Sequence, residues 1–379
     1  MGRKYDSKTV ESLKANAEQI DYKGLPVLLK PIPEGGEDGD MDPRVYKSMK
    51  MLPLMSKFMR KPKKEQTVLE SILPMRKMFN KYSGDYIVTT GVDTIHVNVP
   101  SADGYKVPVR IYRRSIAGDN LPVFVYYHGG GFFGGHPDIV EQMCKFIVQN
   151  YDCLAFSIDY RLCPENHYPQ PLDDCFYATV WARDHAAEYG GDNTRMVVSG
   201  DSAGGNLAAA VTLRDREEKT GMVKARVLFY PAVNVSGNHT EFYKGVDFAK
   251  YHRSKKHGKV LDSILKLMMG DPTDNSGGQM KMLNDVYLQG HLNPEHIYAS
   301  PLLDDQHDVP PTLLIFGEHD FLVFEDFAYA RTLQAAGREV KTILYRGMGH
   351  GFADQVGVSP QAEDSLLETV TFMKELFNN

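Results

Sequence analysis

The sequence predicts a protein of the α/β class, with a mostly parallel sheet covered by helices on both faces. Three observations carry that expectation. From Leu121-Pro122 onward, short apolar runs alternate with longer helical patterns, the ordering that parallel βαβ units require. The stretch Gly200-Asp201-Ser202-Ala203-Gly204 follows the apolar run Met196-Val197-Val198 and opens into the helix-favouring Asn206-Leu207-Ala208-Ala209-Ala210. His128-Gly129-Gly130-Gly131-Phe132 follows directly on the apolar run Val123 to Tyr127. Both glycine-rich stretches therefore fall where a predicted strand ends.

Taken in order, residues 1–83 read as helical and Met-rich. Leu52, Leu54, Met55, Phe58 and Met59 mark one segment, and Leu69, Ile72, Leu73, Met75, Met78 and Phe79 a second that Pro74 should kink or split. The basic Arg60-Lys61-Pro62-Lys63-Lys64 between them reads as a solvated connection. The acidic, glycine-rich Pro33 to Asp40 is a loop without the residue register of a calcium site. From Tyr86 the pattern turns to strands: Ile87 to Thr90, Thr94 to Val99 and Lys106 to Tyr112. Strand Val123 to Tyr127, helix Pro137 to Asn150, strand Leu154 to Tyr160 and helix Pro171 to Tyr189 follow. Next come strand Met196 to Ser199, the helix after Ser202, and strand Arg226 to Tyr230.

Between about Ser236 and Tyr298, helical segments such as Val260 to Met269 and Gln279 to Gln289 replace strands, as in an insertion. Alternation resumes with strand Thr312 to Phe316, helix Glu325 to Ala336, strand Lys341 to Tyr345 and helix Pro360 to Phe377. The chain thus divides into an N-terminal segment (1–83), a first part of the core (84–235), an insertion (236–298) and a second part of the core (299–379).

The balance of the chain excludes some functions. Of 379 residues, 42% are hydrophobic and 24% charged, and the net charge of -6 argues against nucleic acid as a partner. The N-terminus leads into a polar helical pattern without a signal-peptide core, and no apolar run is long enough to span a membrane, so a soluble cytoplasmic protein without a stable membrane anchor is expected. Cys144, Cys153, Cys163 and Cys175 lack the spacing of a zinc site or a disulfide framework and are expected as free thiols. Asn234-Val235-Ser236 and Asn238-His239-Thr240 fit the glycosylation sequon but carry little meaning without a secretion signal.

Ser202 lies where a strand, a sharp turn and a helix would expose one hydroxyl above the carboxyl ends of the sheet. A glycine-rich turn with a capping serine would give the same five residues, so the reading depends on partners elsewhere. An acyl-transfer site needs backbone N–H groups aimed at a developing oxyanion, and the glycines after His128 allow such an approach. Gly129 to Gly134 also fits the G-x-G-x-x-G of dinucleotide sites, with Asp159 as a ribose acid, but Pro137 and two more glycines intervene before the helix and Asp159 lies too far on. The base and acid should follow the serine in the order acid, then histidine. Asp320 ends the run Leu313 to His319, and His350 follows the next predicted strand. Glu318-His319-Asp320 has no second histidine cluster of ligand spacing, so no metal is expected.

HGGGF at 128–132, GDSAGG at 200–205, Asp320 and HGF at 350–352 together resemble the hormone-sensitive lipase family of α/β-hydrolases, in its bacterial-type carboxylesterase branch. Asp159 to Glu165 resembles that family's DYRLAPE stretch. The resemblance covers roughly residues 86–377. It implies an α/β-hydrolase fold: a mostly parallel eight-stranded sheet with helices on both faces and a helical cap made of residues 1–83 and 236–298. Ser202 would be the nucleophile, His350 the general base and acid, and Asp320 the group that orients His350. The N–H groups of Gly130, Gly131 and Ala203 would form the oxyanion hole, with His128 and Gly129 supporting the loop, and Arg161 and Glu165 would belong to a structural network near the site. Cys163 replaces the alanine of DYRLAPE, while Phe321 and Phe324 stand where the family usually has a proline and a second acid.

The expected function is hydrolysis of short to medium acyl esters through an acyl-enzyme, on small-molecule ester substrates and without metal or organic cofactor. Deacetylation of a sugar or an amide with the same triad is the nearest alternative. Receptors of this fold that bind without catalysis lose the histidine, which His350 argues against. Edge strands and exposed cap helices leave room for a homodimer.

Overall fold

The computed structural model describes residues 2–55, 67–237, 254–269 and 283–377. The basic stretch at 60–64, Phe58, Met59, the second sequon and the first four residues of the expected helix at 279–289 lie outside them. Among the described residues ten strands form one sheet: β1 (Glu18–Tyr22), β2 (Leu25–Lys30), β3 (Val92–Pro100), β4 (Lys106–Arg114), β5 (Leu121–Tyr127), β6 (Leu154–Ile158), β7 (Gly191–Asp201), β8 (Val223–Phe229), β9 (Thr312–Gly317) and β10 (Val340–Tyr345). Their order is β1-β2-β10-β9-β8-β7-β5-β6-β4-β3. From β2 to β6 every pairing is parallel, and antiparallel pairs close both edges.

The helices among the described residues are α1 (Ser7–Ala15), α2 (Pro43–Met49), α3 (Leu52–Met55), α4 (Val68–Phe79), α5 (Pro137–Asn150), α6 (Gln170–His185), α7 (Ala203–Glu218), α8 (Gly258–Met269), α9 (Val323–Ala335) and α10 (Pro360–Phe377). The central strands β5, β6 and β9 are buried along their whole length. That is why their sequences read as continuous apolar runs instead of alternating ones. The four cysteines are buried free thiols.

Three expectations are corrected. The sheet has ten strands, because residues 18–30, read as part of a helical segment, form a hairpin. Lys23 and Gly24 both take positive φ, 55° and 85°, as a tight two-residue hairpin turn requires, and Leu28 to Lys30 pair in parallel with Ile343 to Tyr345 of β10. Ile87 to Thr90 is not a strand; the Oε1 of Gln142 on α5 accepts the N–H groups of Ile87 and Val88 in place of a ladder. Pro74 does not split α4, which runs through it under a capping box made by Thr67 and Glu70.

Parallel strands share one carboxyl edge. The segments leaving β5, β7, β9 and β10 therefore emerge on the same side of the sheet, and they carry His128 to Gly131, Ser202, Asp320 and His350 respectively.

Candidate active site

Ser202 occupies the cap position of α7 with φ 54° and ψ −116°, a region that costs a non-glycine residue about 1–3 kcal/mol and persists only when the surroundings enforce it. They do so here by close packing. A Cβ on Gly204 would lie 2.0 Å from the Tyr127 carbonyl oxygen and one on Gly200 2.3 Å from the backbone of Gly204, so β5, β7 and α7 cross at a separation only glycine permits. The Ser202 N–H donates to the Phe229 carbonyl at 2.9 Å, which ties the turn to β8.

His350 Nε2 lies 2.8 Å from Ser202 Oγ, and its Nδ1 lies 2.9 Å from both carboxylate oxygens of Asp320. Asp320 Oδ1 also accepts the Leu322 N–H at 2.8 Å. The two loops that carry these residues are fastened together. The His319 N–H donates to the Met348 carbonyl at 2.8 Å, and Glu318 Oε2 accepts the Gly347 N–H at 2.9 Å. Phe321 sets its ring 4.5 Å from the His350 ring, and Tyr230 packs on the imidazole at 4.9 Å. With Asp320 sealed from solvent, the imidazole keeps one tautomer, Nδ1–H toward the carboxylate and Nε2 free to accept from the serine.

Gly130 and Gly131 take φ of 122° and 61°. Among the described residues no acceptor is bonded to the backbone N–H of Gly130, Gly131 or Ala203, and all three residues line the cavity that holds Ser202 and His350. Three unpaired donors thus belong to residues that line the serine's cavity, a composition suited to a developing negative oxygen.

His128 is buried below that loop, where desolvation pushes its pKa down to about 4, so the ring is neutral. Its Nδ1 bonds the Gly129 carbonyl at 2.8 Å, the ring stacks on Tyr160 at 4.3 Å, and the Tyr160 hydroxyl donates to the His128 carbonyl at 2.7 Å. The Arg161–Glu165 stretch supplies two separate networks instead of one. Arg161 pairs with Asp174 and Asp103. Glu165 pairs with Arg76 of α4, whose guanidinium also donates to the carbonyls of Phe133 and Cys163 and so ties α4 to the glycine loop.

Sequence reasoning left Asp201 without a role. Its Oδ1 accepts both the Gly129 N–H at 2.8 Å and the Tyr126 hydroxyl at 2.9 Å, so the residue before the serine anchors the loop carrying the free donors. Burial pushes its carboxyl up to about 6 against these bonds. Its place inside the G-x-S-x-G motif was the one available signal.

Glu325, in the first turn of α9, is another acid held against its ordinary behaviour. Burial, with a contribution from the nearby Asp320 charge, pushes it up to about 8 from an ordinary 4.5, although the backbone of Asn234 and Val233 bonds it. An acid raised in the folded state stabilises the fold at low pH, and that contribution is lost as pH climbs from about 4.5 to about 8. Glu325→Gln should therefore gain on the wild type between pH 5 and 9, by a few kcal/mol at most. Paired thermal melts at the two pH values check this; a constant difference in melting temperature would refute it.

Among the described residues, no three His, Cys, Asp or Glu side chains are grouped to hold a metal ion, and no helix is long and apolar enough to cross a membrane. The cavity above the serine measures about 310 Å³.

A family profile described as the alpha/beta hydrolase fold matches residues 124–354. Carboxylesterase NlhH of Mycobacterium tuberculosis is 31% identical over 261 residues, 68% of this chain and 75% of that protein. An arylesterase of Saccharolobus solfataricus is 30% identical over 260 residues, covering 68% and 77%. Among solved structures, the hyperthermophilic esterase of the archaeon Pyrobaculum calidifontis superposes with a TM-score of 0.69 at 28% identity, covering 89% of this chain and 99% of that one. A strand-end serine, acid and histidine on a mostly parallel sheet, with a matched profile and these relatives, mean that the chain belongs to the hormone-sensitive-lipase-like carboxylesterase family of α/β-hydrolases.

Proposed function

We propose that this carboxylesterase cleaves short to medium acyl esters through an acyl-enzyme on Ser202. The observation that carries the reading is the unbroken hydrogen-bonded line from Asp320 through His350 to Ser202 Oγ, set beside three free backbone donors. His350 Nε2 takes the Ser202 proton as Oγ attacks the ester carbonyl. The carbonyl oxygen becomes negative within reach of the Gly130, Gly131 and Ala203 N–H groups, and Asp320 supports the imidazolium. Collapse passes the proton from Nε2 to the leaving alkoxide, which departs as the alcohol. A water, deprotonated by the same nitrogen, then hydrolyses the acyl-serine to the acid and restores the serine.

The part of residues 1–83 outside the β1–β2 hairpin, which belongs to the core sheet, and residues 236–298 are the proposed cap. What supports this is that Met41, Val45 and Phe79 from the first and Ile264 and Leu283 from the second line the same cavity as Ser202. A cavity of about 310 Å³ favours small esters over long lipids, and four buried free thiols suit a reducing, cytoplasmic setting.

Nitrophenyl esters from acetate to palmitate test the reading. Turnover should be greatest at short to medium chains, and a fluorophosphonate should add its mass to the Ser202 peptide alone. A folded protein that turns over none of the esters, or labels elsewhere, would overturn it.

A further inference from the structure

Two imidazoles hold one peptide unit beside the triad. The Met41 N–H donates to His257 Nδ1 at 3.0 Å, and the Asp40 carbonyl oxygen, part of the same peptide, lies 3.1 Å from His319 Nε2. An amide N–H only donates and a carbonyl only accepts, so His257 Nδ1 is bare and His319 Nε2 carries a proton. The two histidines come from different parts of the chain. His257 stands in the insertion, just before α8, while His319 is bonded directly to Asp320. A peptide is flat and resists twisting, so a shift at its N–H is passed to its carbonyl.

The next N–H along reaches the other triad loop. The Asp42 N–H donates to the Gly347 carbonyl at 2.9 Å, three residues before His350. On the core side the strip is fastened further, because the Asp42 carboxylate accepts from Gln361 of α10 at 2.7 Å and pairs with Arg44. On the insertion side, the ties are the His257 bond, the Ser254 N–H on the Gly39 carbonyl at 3.2 Å, and the packing of Met41 against Val260 and Leu261 of α8. Residues 40–42 lie in no helix or strand, so these contacts alone set their place.

Met41 and His319 line the cavity that holds Ser202, whereas His257 does not. His257 is 3% exposed, and its ring lies 4.5 Å from that of Tyr46. Asp40 Oδ1 lies 3.2 Å from the same His257 nitrogen; protonating the ring would make that nitrogen a donor and give its bond to Asp40 instead.

We propose that His257 is a positioning residue: through the Asp40–Met41 peptide it fixes the loops of Asp320 and His350 against Ser202, so the insertion governs turnover without touching the substrate there. This rests on the esterase reading and adds a part of the cap to its machinery. A buried N–H without an acceptor is unfavourable, so removing the His257 acceptor releases the strip. Misplacing reacting groups by about 1 Å costs about 100-fold in rate, and a partial shift should cost about tenfold.

The test uses the full chain at about pH 8, where an ordinary imidazole is neutral, and follows ethyl acetate by proton release. Its short arms make the fewest contacts with the cavity wall. His257→Phe keeps a ring beside Tyr46 but has no acceptor. His257→Asn loses the ring but sets its Oδ1 the same number of bonds from the backbone as Nδ1. With kcat taken per folded molecule from thermal melts, His257→Phe should lose about tenfold in kcat with KM within about twofold of the wild type, as for an interaction that matters only in the transition state. His257→Asn should retain most of the wild-type kcat. Where the phenylalanine variant does not fold, His257→Ala against His257→Asn makes the same comparison. A wild-type kcat in the variant without an acceptor, an equal loss in His257→Asn, or a change confined to KM would each overturn the positioning role while leaving the esterase reading intact. A wild type that turns over no ester removes the esterase reading and this role with it.

Discussion

Ser202→Ala and His350→Ala are each expected to lower kcat on a short nitrophenyl ester by about 10⁵- to 10⁶-fold, with the double variant hardly slower than either. The reason lies in the geometry of a single proton transfer. Ser202 Oγ is 2.8 Å from His350 Nε2, and the hydroxyl is a poor nucleophile unless that nitrogen takes its proton. Without the histidine the serine is idle; without the serine the histidine has nothing to activate. What remains in every variant is the set of free N–H groups at Gly130, Gly131 and Ala203, which should still give turnover about 10³-fold above water. Asp320→Asn should cost less, about 10⁴-fold, because its amide can hold the wrong imidazole tautomer. Single-turnover assays, with active-site titration to exclude wild-type contamination, check the series. Losses that multiply in the double variant would mean that the two residues act independently, and the triad reading would fail.

How far the chain could be read before its structure depended on where each interaction closes. Ser202, Asp320 and His350 were legible because each sits one turn past an apolar run, and a parallel sheet sends all such turns to one edge. The hairpin at 18–30 was not legible. The burial pattern of β1 is mostly exposed and β2 contains Pro26, while the pairing that joins the hairpin to the rest of the sheet is with β10, more than 300 positions away along the chain. No local pattern records that pairing. The anchoring of Gly129 by Asp201 and the tie from Arg76 to Glu165 were hidden for the same reason: each is a bond between segments whose sequences show nothing but an acid or a base. Phe321 looked like a departure at a loop, and only in three dimensions does its ring prove to pack on His350. Strand-end motifs survive in sequence because backbone geometry demands glycine and serine there; side-chain partnerships across the fold leave no such mark.

Gly204→Ala should be the most damaging change of a single methyl group. The added Cβ would meet the Tyr127 carbonyl oxygen at 2.0 Å and the His128 carbonyl oxygen at 2.6 Å. Both are backbone atoms, at the end of β5 and the start of the glycine loop, so no side-chain rotation relieves the contact. Either α7 shifts away from β5, or the segment carrying the free donors moves. The first outcome opens the core at Leu207 and Ala208, both fully buried, and a loss of stability of about 4 kcal/mol or more is expected, at the diagnostic end of the range for point mutants. The second displaces Gly130 and Gly131 relative to Ser202, and a displacement of about 1 Å lowers turnover by about 10²-fold even in molecules that stay folded. Gly118→Ala is the matched control, because nothing lies within 4 Å of its added Cβ; its stability should stay within about 0.5 kcal/mol of the wild type. Urea titrations of both variants, with kcat measured on the folded fraction, separate the two routes. A Gly204→Ala protein with wild-type stability and turnover would mean that β5 and α7 do not cross as closely as described, and the enforced backbone at Ser202 would then need another source.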